Sequence, residues 1–214
     1  MTIGMPRIDR LPADERGLTI GDFLVPIRVS ERMHTRARHL ALVLIGVLLI
    51  TVGAQIYFYV PGNPVPFTFQ TFGVLLSAGA LGFRRGIAAS GLYLLIGAIG
   101  LPVFAGGKHG LDIVFGATGG YLVGFVLASA IVGRLAELGW DRHIGGSLAA
   151  MAIGTAVIYA IGVPWLKVSL GIPWETAVAE GMTKFLAWDL AKLVVAAGIF
   201  PAAWWVIGRR PEDR

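Results

Sequence analysis

Residues 40–60 read LALVLIGVLLITVGAQIYFYV, and none of these 21 side chains carries a charge. A helix needs about 20 apolar residues to cross the hydrocarbon core of a bilayer. Five further stretches are similarly apolar, at residues 67–83, 86–107, 113–133, 144–166 and, less cleanly, 182–209. No stretch alternates with the period of a strand. The sequence therefore predicts an all-α integral membrane protein, built as a bundle of six transmembrane helices.

The composition of the whole chain agrees with a lipid-embedded protein. Of the 214 residues, 56% are hydrophobic and 14% are charged, whereas soluble domains carry about 25% charged residues. The chain also holds 30 Gly, 11 Pro and no Cys. This composition excludes a disordered chain, a nucleic-acid-binding module and a disulfide-stapled domain.

The basic residues are distributed unequally along the chain. All Arg residues fall within residues 7–38, 84–85, 134–142 and 209–214. Six spans would place these four regions on one face, and the four Lys residues on the other face or inside the membrane. Because basic residues concentrate on the cytoplasmic side, we expect both termini to be cytoplasmic. The expected location is a bacterial or archaeal cell membrane.

Three regions follow from this pattern. Residues 1–36 are polar, carry charges of both signs and lack the apolar segment of a removable signal peptide. We expect them to form a poorly ordered cytoplasmic arm, with a short interfacial helix near residues 20–29. Residues 37–210 are predicted to form the membrane-embedded domain, and residues 211–214 a cytoplasmic tail.

The connections predicted on the outer face are longer than those on the cytoplasmic face and are rich in Gly and Pro. They cover residues 61–66, 101–120 and 167–181. Irregular backbone at membrane depth survives only where it is buried in protein or lines a cavity, so the pattern predicts a site open to the outside. Pro173 indicates a helix of one to three turns in the third connection, with Glu180 and Lys184 paired on its continuation.

Asp189 and Lys192 lie three residues apart in the last span and share one helical face. Each charge costs about 2.5–3.5 kcal/mol at the centre of a span, and such residues are usually functional. A small ligand that donates hydrogen bonds and carries an anionic group would suit this pair. A mutual ion pair that locks the helix into the bundle, or a position near the outer interface, would also explain it.

Other polar and glycine-rich positions of the outer-face segments are candidates for the same site. Thr68 and Gln70 lead into the second span, where they either line a cavity or cap the helix. Gly106 and Gly107 either permit a contact between the backbone and a ligand or only make a turn.

Residues 116–121 read GATGGY at the start of the fourth span. Thr118 is a plausible N-cap, and the free N–H groups of a helix start attract carboxylates. Close helix packing explains the glycines, including Gly119, more simply. Tyr93 and Tyr121 belong to a set of aromatic residues near the outer ends of the spans. Most of that set fits an interfacial belt, and one or two members could wall a ligand.

Several motifs of enzymes and metal sites are absent from the sequence. It contains no phosphate-binding loop, no HExxH motif, no nucleophile elbow and no credible cluster of metal ligands. We therefore expect no catalytic residue, no cofactor, no metal and no nucleic-acid partner. An intramembrane enzyme using Asp189 and Lys192 as acid and base would lack a nucleophile. A solute-binding membrane protein that takes its energy from partners fits better.

Five segments resemble, in order and spacing, the BioY family of biotin-binding S components of energy-coupling factor (ECF) transporters. They are VGAQ at residues 52–55, VPFTFQ at 65–70, GAIGLPVFAGG at 97–107, GATGGYLVGF at 116–125, and Asp189-x-x-Lys192. The resemblance extends over nearly the whole membrane portion. The family's usual proline in the fourth segment is replaced here by Ala117, a change expected to soften the turn.

The resemblance implies a six-helix S component that captures biotin from the outer face, with the loop between the first two helices acting as a lid. It implies that Asp189 and Lys192 belong to the biotin site. It also implies three partner subunits, namely a transmembrane coupling subunit and two ATPases, with ATP-driven toppling that releases biotin to the cytoplasm. The alternative is a self-sufficient secondary transporter for biotin or another small anionic vitamin.

The chemistry of biotin suits these residues. Asp189 could accept hydrogen bonds from the two ureido N–H groups, and Lys192 or Lys108 could meet the carboxylate or the ureido carbonyl. Tyr93, Tyr121 and the glycine-rich segments could pack the thiophane ring. The sequence leaves open which charged residue faces which end of the ligand.

Overall fold

The computed structural model describes residues 18–24 and 35–207, and this part of the chain is mostly helical. In chain order the helices are α1 (Ile20–Leu24), α2 (Thr35–Gln55), α3 (Gln70–Ala98), α4 (Leu111–Phe115), α5 (Gly119–Glu137), α6 (Ile144–Leu170), α7 (Trp174–Gly181) and α8 (Leu186–Ile207). Short turns of 3₁₀-helix lie at Ala105–Gly107, Trp140–Arg142 and Thr183–Phe185.

Most of the predicted N-terminal arm lies outside the described residues, as does the predicted tail at residues 211–214. The helix predicted near residues 20–29 corresponds to α1, which has 5 residues. The expected poor order of the rest of the arm stays a prediction.

Four helical segments within the described residues are long and apolar enough to cross a membrane, namely Arg36–Gln55, Gly119–Glu137, Ile144–Leu170 and Trp174–Ile207. Helix α2 shows how such a helix meets lipid, because large apolar side chains recur on it every four residues and are 50–60% exposed: Leu40, Leu44, Leu48 and Val52. A continuous apolar stripe of this kind needs an apolar neighbour. The chain is an all-α, multi-pass membrane protein.

Helix α3 reverses its direction at Gly82. This residue has φ 81° and ψ −175°, a conformation that only glycine adopts readily. A Cβ atom on Gly86 would stand 3.2 Å from the Cα atom of Ala78, so the two halves of α3 pack side by side. These halves correspond to the stretches predicted at residues 67–83 and 86–107, although the second half ends at Ala98.

The first span ends earlier than the sequence indicated. Helix α2 ends at Gln55, five residues before the predicted end at residue 60. The apolar run continues beyond it, but Tyr57–Phe58 forms strand β1, which pairs antiparallel with β2 (Phe67–Thr68). The loop between α2 and α3 is therefore a two-stranded ribbon, called the ribbon below (residues 56–69).

Small residues let the long helices approach closely. A Cβ atom on Gly124 of α5 would stand 3.1 Å from the Cα atom of Ile158 in α6. A Cβ atom on Gly154 would stand 2.6 Å from a methyl group of Val132. Glycine at these two positions therefore allows α5 and α6 to pack closely.

Charged residues from four helices lie at one end of the bundle, called the arginine end. Asp22 of α1 pairs with Arg85 of α3 over 2.7 Å, and its main-chain oxygen accepts a hydrogen bond of 2.6 Å from Arg38 of α2. At the end of α5, Arg134 pairs with Glu137 over 3.0 Å. These contacts bring together arginines that are far apart in the sequence.

The opposite end, called the pocket end, carries the ribbon, the turn at Ala105–Gly107, α4 and α7. Helix α7 begins directly after Pro173 and has 8 residues, as the sequence predicted. The predicted pair between Glu180 and Lys184 is also present, with 2.6 Å between the charged atoms. Irregular backbone is thus concentrated at the pocket end.

Candidate functional site

A cavity of about 220 Å³ lies at the pocket end, between the ribbon, the start of α5 and the start of α8. Seven of the residues singled out from the sequence line it: Thr68, Gln70, Lys108, Thr118, Tyr121, Asp189 and Lys192. Four others do not line it, namely Tyr93, Gly106, Gly107 and Gly119. Apolar side chains complete the wall, among them Leu122, Phe125, Ile158 and Phe185.

Asp189 and Lys192 form an ion pair in the first turns of α8. They are 6% and 7% exposed. This burial does not fit the interpretation that the pair lies near the outer interface. Tyr159 of α6 donates a hydrogen bond to the second carboxylate oxygen of Asp189. A charge inside a membrane protein needs such partners, and here they leave the pair facing the cavity.

The ammonium group of Lys192 has further acceptors on two other elements. Its Nζ donates to the hydroxyl of Thr71 over 2.7 Å and to the main-chain oxygen of Thr68 over 3.0 Å. Thr68 is the last residue of β2, and Thr71 lies in the first turn of α3. Lys192 therefore connects α8, α3 and the ribbon.

Aromatic rings hold the ribbon against the start of α8. Phe67 stacks on Phe58 with 4.9 Å between ring centroids and on Phe185 with 4.1 Å. Phe58 and Phe69 each meet Trp188 edge to face, at 5.9 and 5.1 Å. Aromatic contacts and the hydrogen bond from Lys192 to Thr68 thus both hold the ribbon over the cavity.

Gln70 lines the cavity, and Tyr93 supports it from behind. The side-chain nitrogen of Gln70 donates to the hydroxyl of Tyr93 over 2.9 Å, and that hydroxyl donates to the main-chain oxygen of Val103 over 3.0 Å. Tyr93 is buried away from the cavity, which differs from its predicted contact with a ligand ring. This arrangement fixes the side-chain amide of Gln70, which lines the cavity.

The segment that contains Gly106 and Gly107 makes a turn beside the cavity. Both glycines have φ 70°, which other residues rarely adopt, and a Cβ atom on Gly106 would stand 3.2 Å from the ring of Tyr57. The turn places Lys108 at the rim, where its Nζ lies 5.2 Å from the ring centroid of Tyr59. The two glycines thus match the turn interpretation rather than the ligand-contact interpretation.

Thr118 occupies the N-cap position of α5, as predicted, but its side chain makes no capping hydrogen bond. Gly119 is buried against Val114 and Trp165, with 3.0 Å between a Cβ atom placed on it and the indole nitrogen. It serves packing. Tyr121 lines the cavity and donates to the main-chain oxygen of Gly181 over 2.8 Å, which ties α5 to the end of α7.

Three polar lining residues were missed in the sequence, namely Tyr159, Thr71 and Asp112. Tyr159 lies in the uncharged stretch at residues 144–166, and a buried tyrosine hydroxyl usually needs a hydrogen-bond partner. That requirement was the available signal for Tyr159. Thr71 had no such signal, because a threonine can bond to its own helix backbone.

Within residues 18–24 and 35–207, no group of three or more His, Cys, Asp or Glu residues is placed to hold a metal ion. The chemistry of the cavity is that of two carboxylates (Asp112 and Asp189), two ammonium groups (Lys108 and Lys192), hydroxyl and amide groups, and an apolar wall.

The profile of the BioY family matches residues 28–209. The chain belongs to the BioY family. The resemblance noted in the sequence is thereby confirmed, and the match takes in α2 to α8 while leaving out α1.

Two relatives in the BioY family show how far the similarity extends. The biotin transporter BioY of Thermotoga maritima is 45% identical over 149 residues, which cover 70% of this chain and 85% of the relative. The biotin transporter BioY of Rhizobium etli is 39% identical over 141 residues, which cover 63% of this chain and 75% of the relative.

One crystal structure shares the fold of this BioY-family chain. It is the S-component for biotin from an ECF-type ABC transporter, with a TM-score of 0.72 and 24% identity. The alignment covers 79% of this chain and 93% of that chain. At this identity the likeness establishes the helical architecture.

Proposed function

We propose that this protein captures biotin in the cavity at its pocket end and serves as the substrate-binding subunit of a biotin uptake system. The observation that carries the proposal is the buried Asp189, which faces the cavity beside Lys192 and Tyr159 in a chain of the BioY family. The names of the relatives support the choice of biotin. The site has no catalytic role in this proposal.

The ureido end of biotin suits the part of the cavity that contains Asp189. Its two ureido N–H groups are donors, and the carboxylate of Asp189 is an acceptor for them. The carbonyl oxygen of Gln70 is a further acceptor on the same wall. A buried site matched to specific donors rejects analogues that lack them, because its own polar groups would be left unpaired.

The other parts of biotin suit the rest of the cavity. The thiophane ring packs against the apolar wall at Phe125, Ile158 and Phe185. The valerate carboxylate meets Lys108, whose ammonium group lies at the rim. Thr118 and Tyr121 complete the site on the α5 side.

Equilibrium binding of labelled biotin to the detergent-purified chain tests this function, with desthiobiotin and unrelated vitamins as competitors. We expect saturable, tight binding that desthiobiotin reduces, because it keeps the ureido ring, and that unrelated vitamins leave unchanged. Absence of binding by a folded, monodisperse sample would overturn the proposal.

We further propose that the chain crosses the membrane six times, with both termini and the arginine end in the cytoplasm. The reversal of α3 at Gly82 supports six crossings, because it divides one long helix into two antiparallel halves. Since the chain has no Cys, single cysteines report sidedness. An impermeant maleimide should label Pro61→Cys in intact cells and His143→Cys only in permeabilised cells, and the opposite pattern would reverse the orientation.

Delivery to the cytoplasm is proposed to require an ECF coupling subunit and two ATPases in the cell membrane of a bacterium or archaeon. The structural neighbour is the S-component for biotin from an ECF-type ABC transporter, which motivates this assignment. Uptake assays in cells with and without a coupling module distinguish it from a self-sufficient secondary transporter. Uptake that follows an ion gradient in the absence of the module would favour the secondary transporter.

A further inference from the structure

The ammonium group of Lys192 has three partners in the structure. It forms an ion pair with the carboxylate of Asp189 and donates hydrogen bonds to the hydroxyl of Thr71 and to the main-chain oxygen of Thr68. A lysine ammonium has three donors and no acceptor, and two of these donors are used within the protein. The charge of Lys192 is thus already paired with Asp189, without the carboxylate of a ligand.

The three partners of Lys192 belong to three different elements. Asp189 lies on α8 itself, Thr71 on α3, and Thr68 at the end of the ribbon. The ribbon supplies one wall of the cavity, including Tyr59 and Val65. For the ribbon to lift from the cavity, Lys192 must release the oxygen of Thr68.

We propose that Lys192 is a latch that holds the ribbon closed over the ligand, and that Thr71 is the positioning residue that aims the latch. The proposal rests on the proposed function and refines it, because it assigns the ligand carboxylate to Lys108 and not to Lys192. The ion pair with Asp189 holds the ammonium group of Lys192 in place, and the ribbon is the segment that moves.

The burial of the latch explains why it controls ribbon opening. Phe58 is 47% exposed, so its contacts with Phe67 and Trp188 are in part open to the surroundings. Lys192 is 7% exposed, and hydrogen bonds from a charged donor in such a place are stronger than those between neutral groups. The rate at which the ligand escapes is therefore set by the release of Lys192.

The Thr71→Val variant tests the latch with little change in shape, because it removes only the hydroxyl acceptor. We expect biotin to dissociate about tenfold faster, with a much smaller change in the association rate, and Thr71→Ser to restore the wild-type rate. Thr155→Val is the matched control. Thr155 shares a small cavity with Thr71 and Lys192 but makes no hydrogen bond with the latch. An unchanged dissociation rate in Thr71→Val would overturn the proposal.

A pair of ligands distinguishes a latch from a partner of the carboxylate. Lys192→Met should weaken the binding of biotin and of its neutral methyl ester by the same factor, whereas Lys108→Met should weaken only biotin. A Lys192→Met protein that loses affinity for biotin and keeps it for the ester would show that Lys192 meets the carboxylate, which overturns the latch. If Lys192→Met does not fold, the Thr71 series decides the question.

The wild-type protein separates this inference from the proposed function. Failure of the wild type to bind biotin would overturn the function itself. Tight wild-type binding with the wrong response of the Thr71 or Lys192 variants would overturn only the latch. A cysteine at Val65, which is buried on the ribbon, gives a second readout, since Thr71→Val should speed its reaction with a maleimide in the presence of biotin.

Discussion

Two carboxylates are buried at opposite ends of this molecule, and they have different partners. Asp189 at the pocket end is paired with Lys192 and accepts a hydrogen bond from Tyr159. Asp141 at the arginine end is 3% exposed, and its Oδ2 accepts one hydrogen bond of 2.7 Å from the indole of Trp204. The other oxygen of Asp141 has no hydrogen-bond partner among the described residues.

This difference separates the carboxylate that we propose to bind a ligand from one that only joins helices. Asp189 has a cation beside it and a cavity before it, so its charge is available to donors that enter. Asp141 joins the turn at Trp140–Arg142 to α8 through Trp204, away from that cavity. Burial raises the pKa of Asp141 to about 6, although the hydrogen bond from Trp204 and the charge of Arg142 both tend to lower it. Burial of a carboxylate is therefore not by itself evidence of a binding site.

The largest expected effect is on stability in the Asp141→Asn variant. Because the folded-state pKa of about 6 exceeds the ordinary 3.8, the native state holds the proton longer than the unfolded state. The contribution of this group to stability therefore falls as pH rises from about 4 to about 6. The variant keeps an acceptor for Trp204 and carries no charge.

Thermal unfolding in detergent at several pH values measures this effect. We expect Asp141→Asn to be more stable than the wild type by up to about 3 kcal/mol at pH 8, with an advantage that shrinks through pH 5 and nearly disappears at pH 4. Biotin affinity should not change. An equal destabilisation at every pH would mean that the charge of Asp141 has an important partner.

The second effect is on binding in the Asp189→Asn variant. The amide replaces one acceptor oxygen with a donor, so the ureido N–H groups of biotin lose a charged partner. We expect biotin affinity to fall by about 1.5–3 kcal/mol, measured by equilibrium binding with Asp141→Asn as the matched carboxylate control. Wild-type affinity combined with lower thermal stability would show that Asp189, like Asp141, only holds helices together.

A smaller effect on binding is expected for Tyr159→Phe. This change removes one of the two partners of Asp189 and leaves the ion pair with Lys192. We expect biotin binding to weaken by about 1 kcal/mol, because the carboxylate of Asp189 then lacks the hydrogen bond that orients it in the cavity. Tyr93→Phe is a control at a tyrosine that supports Gln70 from behind. A greater loss in Tyr93→Phe than in Tyr159→Phe would contradict the assignment of the two tyrosines.

The sequence predicts the helical membrane architecture because the length of an uncharged stretch and the thickness of a bilayer are independent of side-chain detail. It predicts the ends of the helices less well. The run that contains Tyr57–Phe58 is as apolar as a helix that meets lipid, and only its pairing with Phe67–Thr68 makes it a strand. Pairing between segments leaves no local pattern when both strands have two residues.

The candidate site could be predicted in part for a similar reason. Asp189 and Lys192 stand out because a charge in an apolar span is rare. Their actual partners, Thr71 and Tyr159, come from other helices, and no spacing in the sequence indicates which helices are neighbours. Tyr93 was expected to contact a ligand ring, but the structure places Gln70 between it and the cavity.

Asp22 provides the weakest test of the comparison, since it is a half-buried carboxylate with abundant partners. Burial tends to raise its pKa, but hydrogen bonds from Arg85 and Thr19 and the charge of Arg85 outweigh burial and hold the pKa below its ordinary value. A depressed carboxylate pKa contributes stability above the unfolded-state pKa, near 3.8, and loses it as pH falls through the folded-state value. Asp22→Asn should therefore destabilise the chain by about 1 kcal/mol at pH 7, and the difference should shrink below about pH 4.

The change in stability expected for Asp22→Asn at pH 7 is opposite in sign to that expected for Asp141→Asn. Thermal unfolding of the two variants under the same conditions would show whether hydrogen-bond partners or burial determine how a carboxylate at the arginine end affects stability. If both variants were stabilised at pH 7, burial would dominate, and the contacts of Asp22 with Arg38 and Arg85 would be too weak to fasten α1 to the bundle.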